Sequence, residues 1–415
     1  MNDALKKSFK FVDLFAGIGG FHQALVKLGG KCVAACEIDQ NAINVYQQNF
    51  TNTKILGNVN DLNVQNKIPK FDLLVAGFPC QPFSHCGKQL GFNDDRGKLY
   101  LSIIKILKKH PECDFVILEN VKNLANKRKE WFKKIVQKLE QLGFEVNQEP
   151  LILSPHLLGI PQRRERVYIL AQRNKNKNLK TKIIEINQEI TKHKASLKTY
   201  FNPFELVNQK SVNLKIKKNK YLLSEEKTEI LNIWENFINQ LDWKIINPIW
   251  LHFMGLGIDN QKKFEQQYLN SEPEWKQKII LKNRKFYLTN KEFIDQWWEQ
   301  NKSLLSKSLI YQKLEWNAGK EIKSFKNVII QFRHSGIRTK KCDSFPTLTA
   351  ITSIPIGFDH KIRKYRYLTV KEGAILQSFN SDFKFLENDL ISFKQLGNAV
   401  NVKIIELLAN KLIFN

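Results

Sequence analysis

Phe9-Lys10-Phe11-Val12-Asp13-Leu14-Phe15-Ala16-Gly17-Ile18-Gly19-Gly20 is an apolar, β-rich run that breaks into a glycine turn, and a helix-like segment continues to Leu28. Strand, glycine turn and helix form the opening unit of a doubly wound sheet, and such a turn lets the helix N-terminus approach a ligand closely. The turn lacks the G-x-G-x-x-G spacing of a dinucleotide site, which disfavours a nicotinamide cofactor. Outward from it, Cys32–Cys36 reads as a second strand ending in Glu37-Ile38-Asp39. A carboxylate at that place accepts hydrogen bonds from ribose hydroxyls. Lys54–Val59 leads through Asp61 to Phe71–Ala76, which reads as a buried parallel strand. Gly77-Phe78-Pro79-Cys80-Gln81-Pro82-Phe83-Ser84 follows, with Cys80 clamped between prolines where open α/β sheets bind ligands. A lone cysteine there is more often a structural residue. Its neighbours change that reading.

Phe115–Leu118 is another buried strand, with Glu119-Asn120-Val121 at its carboxyl end, so Cys80 and Glu119 close two strands on one edge of one sheet. A helical pattern from about residue 127 to 142 leads to a strand over 146–153. Gly159-Ile160-Pro161-Gln162-Arg163-Arg164-Glu165-Arg166 then precedes a strand over 167–171. Arginines between a proline and a buried strand suit the binding of an anion or a carboxylate. After Ala171 the pattern dissolves into a Lys/Asn-rich stretch with scattered tryptophans, most of them expected in a core. This stretch reads as a basic, irregular domain suited to a phosphate backbone and base edges. Order returns at Leu368–Gln377, where Thr369 and Glu372 fit a capping box, and at Gln395–Leu412. The expected fold class is α/β, a doubly wound and mostly parallel sheet with a second, smaller irregular domain. The expected boundaries are 1–171, 172–352 and 353–415, the last segment returning to the first domain.

The 415 residues are 42% hydrophobic and carry a formal net charge of +26. Such an excess points to a polyanionic partner, because Lys and Arg neutralise phosphates and release counterions. The six cysteines form no CxxC pair and match no histidine spacing, so neither a metal site nor a disulfide framework is expected. The absence of a membrane-length apolar run and of a signal-peptide pattern predicts a cytoplasmic protein.

A thiol, a carboxyl group and arginines converging beside an adenosine-type pocket suit one reaction well. Cytosine C5 is a poor nucleophile until a thiolate adds at C6. A carboxyl group engaging N3 assists that attack, and a nearby arginine lowers the thiol pKa and stabilises developing charge. The base must first leave the duplex. On the stretches at residues 13–21, 77–84, 119–121, 162–166 and 397–398, in this order and approximate spacing, the chain resembles the bacterial DNA (cytosine-5-)-methyltransferases outside its variable middle. The resemblance implies Cys80 as nucleophile and Glu119 on N3 of the flipped cytosine. It also implies Asn120 supporting the loop, with Arg164 and Arg166 at the base and at Glu119. Gln81 and Ser84 would lie on the loop that closes over DNA. S-adenosyl-L-methionine would lie against Phe15 and the turn of Gly17 and Gly19, with Glu37 on its ribose and Pro79, Leu99 and Asn398 nearby. The family's usual Asp is Asn58 here, so the adenine contact falls to Asn58 or shifts to Asp61. Its usual Gly-Asn-Ser is Gly397-Asn398-Ala399. The implied partners are double-stranded DNA and, functionally, a restriction endonuclease, with the enzyme itself a monomer. A transfer-RNA cytosine-5 methyltransferase shares the constellation, but the long basic middle argues for duplex DNA. A catalytically silent DNA-binding protein would not need Cys80, Glu119 and Arg166 together.

Overall fold

The computed structural model describes residues 8–79, 99–125, 130–173, 178–193, 204, 220–241, 246–319, 321–349 and 353–415. They form two compact units, Met1–Leu197 with Pro346–Thr352 and Val370–Asn415, and Lys198–Phe345 with Ser353–Thr369.

The first unit is built on strands β1 (Phe9–Leu14), β2 (Gly30–Cys36), β3 (Leu73–Gly77), β4 (Phe115–Val121), β5 (Glu145–Val146), β6 (Leu151–Leu153) and β7 (Arg166–Gln172). The order is β2-β1-β3-β4-β7-β5, with β6 also on β7. The β2, β1, β3 and β4 strands run parallel, while β7 is antiparallel to β4, as are β5 and β6 to β7. The central strands β3 and β4 are covered on both faces and read as near-continuous apolar runs for that reason. The expected single strand over 146–153 is two short strands, both paired to β7. The helix Glu130–Glu140 buries Phe132, Ile135, Val136 and Leu139, the stripe expected of an amphipathic helix on a sheet.

The boundary expected at 171 falls later, because the helix Leu179–His193 belongs to this unit. It buries Leu179, Ile186 and Ile190, and Lys182 Nζ donates to the Leu412 carbonyl at 2.6 Å. The C-terminal helix Val402–Phe414 is tied to the start of the chain by the Lys27–Glu406 ion pair at 2.7 Å and by Phe414 against Phe9.

The second unit, expected to be irregular, is a regular six-stranded sheet packed against helices. Its strands are β8 (Ile249–Trp250), β9 (Lys313–Asn317), β10 (Val328–Arg333), β11 (Gly336–Lys341), β12 (Ile356–Asp359) and β13 (Lys364–Tyr367), in the order β13-β12-β10-β11-β9-β8. The core unites Leu314, Trp316, Ile330 and Ile337 of the sheet with Trp234, Phe237, Tyr287 and Trp297 of the helices Glu225–Gln240, Glu274–Thr289 and Lys291–Leu305. Trp234, Trp297 and Trp316 are buried as expected, whereas Trp275 is exposed. Among the described residues no helix is long and apolar enough to cross a membrane.

Candidate active site

The β3–β4 register sets Gly77 opposite Glu119, and β7 brings Arg166 beside Val121. Glu119 is buried and its Oε1 lies 3.1 Å from Arg166 Nε. Burial pushes the Glu119 carboxyl above the usual range, while Arg166 and then Arg164 pull it back. Such a group holds a proton more readily than a surface glutamate and keeps a cation at its side. Asn120 donates from Nδ2 to the Phe78 carbonyl at 3.1 Å and accepts from the Val121 N–H. It therefore ties β4 to the segment leaving β3. Cys80, Gln81 and Ser84, expected on the loop after that segment, lie outside the described residues.

Arg164 does something the sequence did not announce. Its buried guanidinium donates to three backbone carbonyls, Leu348 from Nη1 at 2.9 Å and Gly397 and Ala399 from Nη2 at 2.8 Å each. The Arg164 N–H is itself received by Ser154 Oγ. Arg164 acts on Glu119 through its field, and it braces the segment that carries Asn398.

On the neighbouring edge, β1 ends in Phe15 at φ 56°, followed by Gly17 and Gly19, also at positive φ. A non-glycine residue in the left-handed region persists only where its surroundings enforce it, and such residues gather at ligand sites. The enforcement is visible. The Ala16 N–H donates to the Cys36 carbonyl, and the Gly17 N–H donates to Glu37 Oε2 at 2.8 Å. Glu37 Oε1 accepts from the Ile38 and Asp39 N–H groups. The Glu37 carboxylate thus bridges the ends of β1 and β2. A Cβ placed on Gly17 would meet nothing within 4 Å, which leaves an open cradle there. One on Gly20 would meet Val400 side chain and backbone at 2.8 and 3.1 Å, so the C-terminal loop packs directly on the first helix.

Asn58 is exposed, its Oδ1 accepting from the Asn60 N–H, whereas Asp61 caps the helix Leu62–Asn66 through the Asn63 N–H. Pro79 and Leu99 are half-buried and Asn398 is exposed. Ile38 received no role from the sequence. It is 72% exposed beside Glu37, an apolar face at the lip of the cradle. An isoleucine between two acidic residues at a strand end was the available signal.

The model of the C-5 cytosine-specific DNA methylase family matches residues 9–413. The type II methyltransferase M.BanI of Aneurinibacillus aneurinilyticus is 32% identical over 98% of this chain and 96% of its own. M.AluI of Cellulosimicrobium cellulans is 30% identical over 96% and 90%. M.HpaII of Haemophilus parainfluenzae reaches 45%, over 41% and 47%. Among solved structures, the S. pombe Dnmt2 methyltransferase covers 98% of this chain and 99% of its own with a TM-score of 0.55 at 16% identity, a likeness of fold. With a carboxyl group, its arginine and an open glycine turn on adjoining strand ends, and with the family matched from the first strand to the last helix, the chain belongs to the C-5 cytosine-specific DNA methylases.

Proposed function

We propose that this enzyme methylates C5 of a cytosine in one short double-stranded DNA sequence, with Cys80 as nucleophile and Glu119 on N3 of the extruded base. The observation that carries the reading is the Glu119–Arg166 pair at the end of β4, directly across from Gly77, where the chain departs toward Cys80. The Cys80 thiolate forms a bond to C6, and C5 gains nucleophilic character as electron density is pushed into the ring. Glu119, its carboxyl raised by burial, hydrogen-bonds N3 and limits charge build-up there. Arg166 holds Glu119 in place and offsets developing negative charge. Once C5 carries the transferred methyl group as well as its proton, loss of that proton to a base breaks the C6–sulfur bond, releases the thiolate and restores the ring of the methylated cytosine. Asn120 keeps the segment bearing Cys80 in register with Glu119.

The cradle fits S-adenosylmethionine. The open space at Gly17, the Glu37 carboxylate, the Phe15 ring and the exposed Ile38 combine a polar partner for ribose hydroxyls with apolar faces for a purine. When bound, that cofactor supplies the methyl group. For the adenine amino group Asn58 and Asp61 both stay open, since each side-chain oxygen already accepts a backbone N–H two residues on. The activity would shield host DNA from a cognate restriction endonuclease, a role supported by the naming of the relatives as type II methyltransferases.

The test is bisulfite sequencing of DNA from a methylation-free bacterium expressing the chain. Protected cytosines confined to one short motif are expected. Cys80→Ser is expected to abolish protection while DNA binding persists. Protection at wild-type levels by this variant would remove Cys80 from its role.

A further inference from the structure

The sheet of the second unit has two faces, and its main core uses one, while Ile329 is buried on the other. Leu314, Trp316, Ile330 and Ile337 point to the helices, so the alternate residues of β9, β10 and β11 line the other face. The strand register sets Gln331, Arg338 and Glu315 side by side across β10, β11 and β9. One step along lie Arg333, Gly336 and Lys313, with Trp250 of β8 beyond. A Cβ on Gly336 would sit 2.8 Å from Lys313 Cβ, so the glycine lets the polar rows close up.

Within this face Arg338 is unusually constrained. Its Nε and Nη2 both reach Glu315 Oε2, at 2.6 and 2.5 Å. Lys313 Nζ stands 3.3 Å from the other oxygen of Glu315 and 4.0 Å above the Trp250 ring. Gln331 Nε2 is anchored on the Ser353 carbonyl at 3.0 Å. The Arg338 side chain is 32% exposed and that of Glu315 only 15%. Surface ion pairs of long side chains are usually loose and screened. This one is braced by Lys313 on the far oxygen of the carboxylate.

The bracing decides what such an arginine is suited to bind. A guanidinium paired with a carboxylate that Lys313 shares keeps part of its charge, but its plane is fixed. It retains N–H donors held in a set plane, which is what a neutral acceptor edge requires. The guanine O6 and N7 pair in the major groove is the commonest such edge for arginine. We infer that Arg338, oriented by Glu315, reads a guanine of the target duplex. Lys340 and Arg333 on the same face add positive charge that draws the phosphates in. This deepens the proposed function and rests on it.

The experiment compares wild type, Arg338→Ala, Arg338→Lys and Glu315→Gln on a duplex carrying the methylated site and on duplexes with each guanine of that site replaced in turn. Arg338→Ala is expected to lower kcat/KM on the intact site roughly ten- to a hundredfold. At one replaced guanine the variant and wild type should then perform alike, because the discrimination there has been lost. Glu315→Gln should weaken discrimination at that same position, and the salt dependence of binding should stay as in wild type for both. A uniform loss on every duplex, with the salt slope reduced by about one, would make Arg338 a phosphate contact and overturn the inference. Unchanged discrimination in a folded variant would do the same. If Arg338→Ala does not fold, Arg338→Lys and Glu315→Gln carry the test. A wild-type enzyme that methylates no duplex would sink the proposed function as well, an outcome separable from the others.

Discussion

Asp13 is fully buried at the end of β1, and burial, followed by the nearby Glu37, drives its carboxyl well above the usual range, with only the His22 backbone N–H opposing. A carboxyl group whose pKa is raised on folding stabilises the native state below its unfolded pKa, about 4, and that contribution fades as pH rises through the folded value. Asp13→Asn removes the titration. The variant should therefore melt progressively higher than wild type as pH is raised from about 4 toward 8, and the two should converge at the acid end. Thermal unfolding across that range checks it, and a constant difference would contradict the argument. Residue positions were legible where local pattern sets them, as for Glu119 and Glu37 at the ends of apolar strands. The role of Arg164 was not, because the carbonyls it holds lie 184 to 235 positions away along the chain.

Among the elements, β1, β3 and β4 could be read from sequence because strands buried on both faces are written as apolar runs. The strands of the second unit could not, because one face of that sheet is polar and its short strands are interleaved with Lys/Asn-rich segments. The helix Leu179–His193 escaped for a related reason, since its buried stripe is thin. Within the second unit, the loop Met254–Ile258 shows how a connection is made rigid. Gly255 and Gly257 adopt positive φ, and the buried Arg284 of the helix Glu274–Thr289 donates to the carbonyls of Met254, Gly255 and Ile258. Arg284→Met is expected to cost about 2–4 kcal/mol, because several buried acceptors lose their donor. Amide hydrogen exchange should accelerate at 254–258 well before the rest of the unit. Uniform acceleration would mean that the arginine supports the fold at large.

For the molecule as a whole, a net charge of +26 sets the expectation for DNA binding. If six to ten phosphates are neutralised, affinity should fall about 10³- to 10⁵-fold between 50 and 200 mM salt, linearly on logarithmic axes. A flat response would show that the basic excess serves another purpose. The first unit is also assembled from both flanks of the chain, with Val400 seated on Gly20 and the carbonyls of Gly397 and Ala399 held by Arg164. During synthesis at roughly 5–20 residues per second, the glycine turn and Glu119 emerge from the ribosome many seconds before the residues that cover them. The nascent enzyme must wait with its first helix bare, while the second unit is translated and can fold in the interval. A message cut short between codons 167 and 396 yields a chain that carries Glu119, Arg164 and Arg166 but lacks the segment that packs on the first helix. Methylation is therefore expected only from chains that include this late segment, and a truncation ending before residue 397 should show none of it.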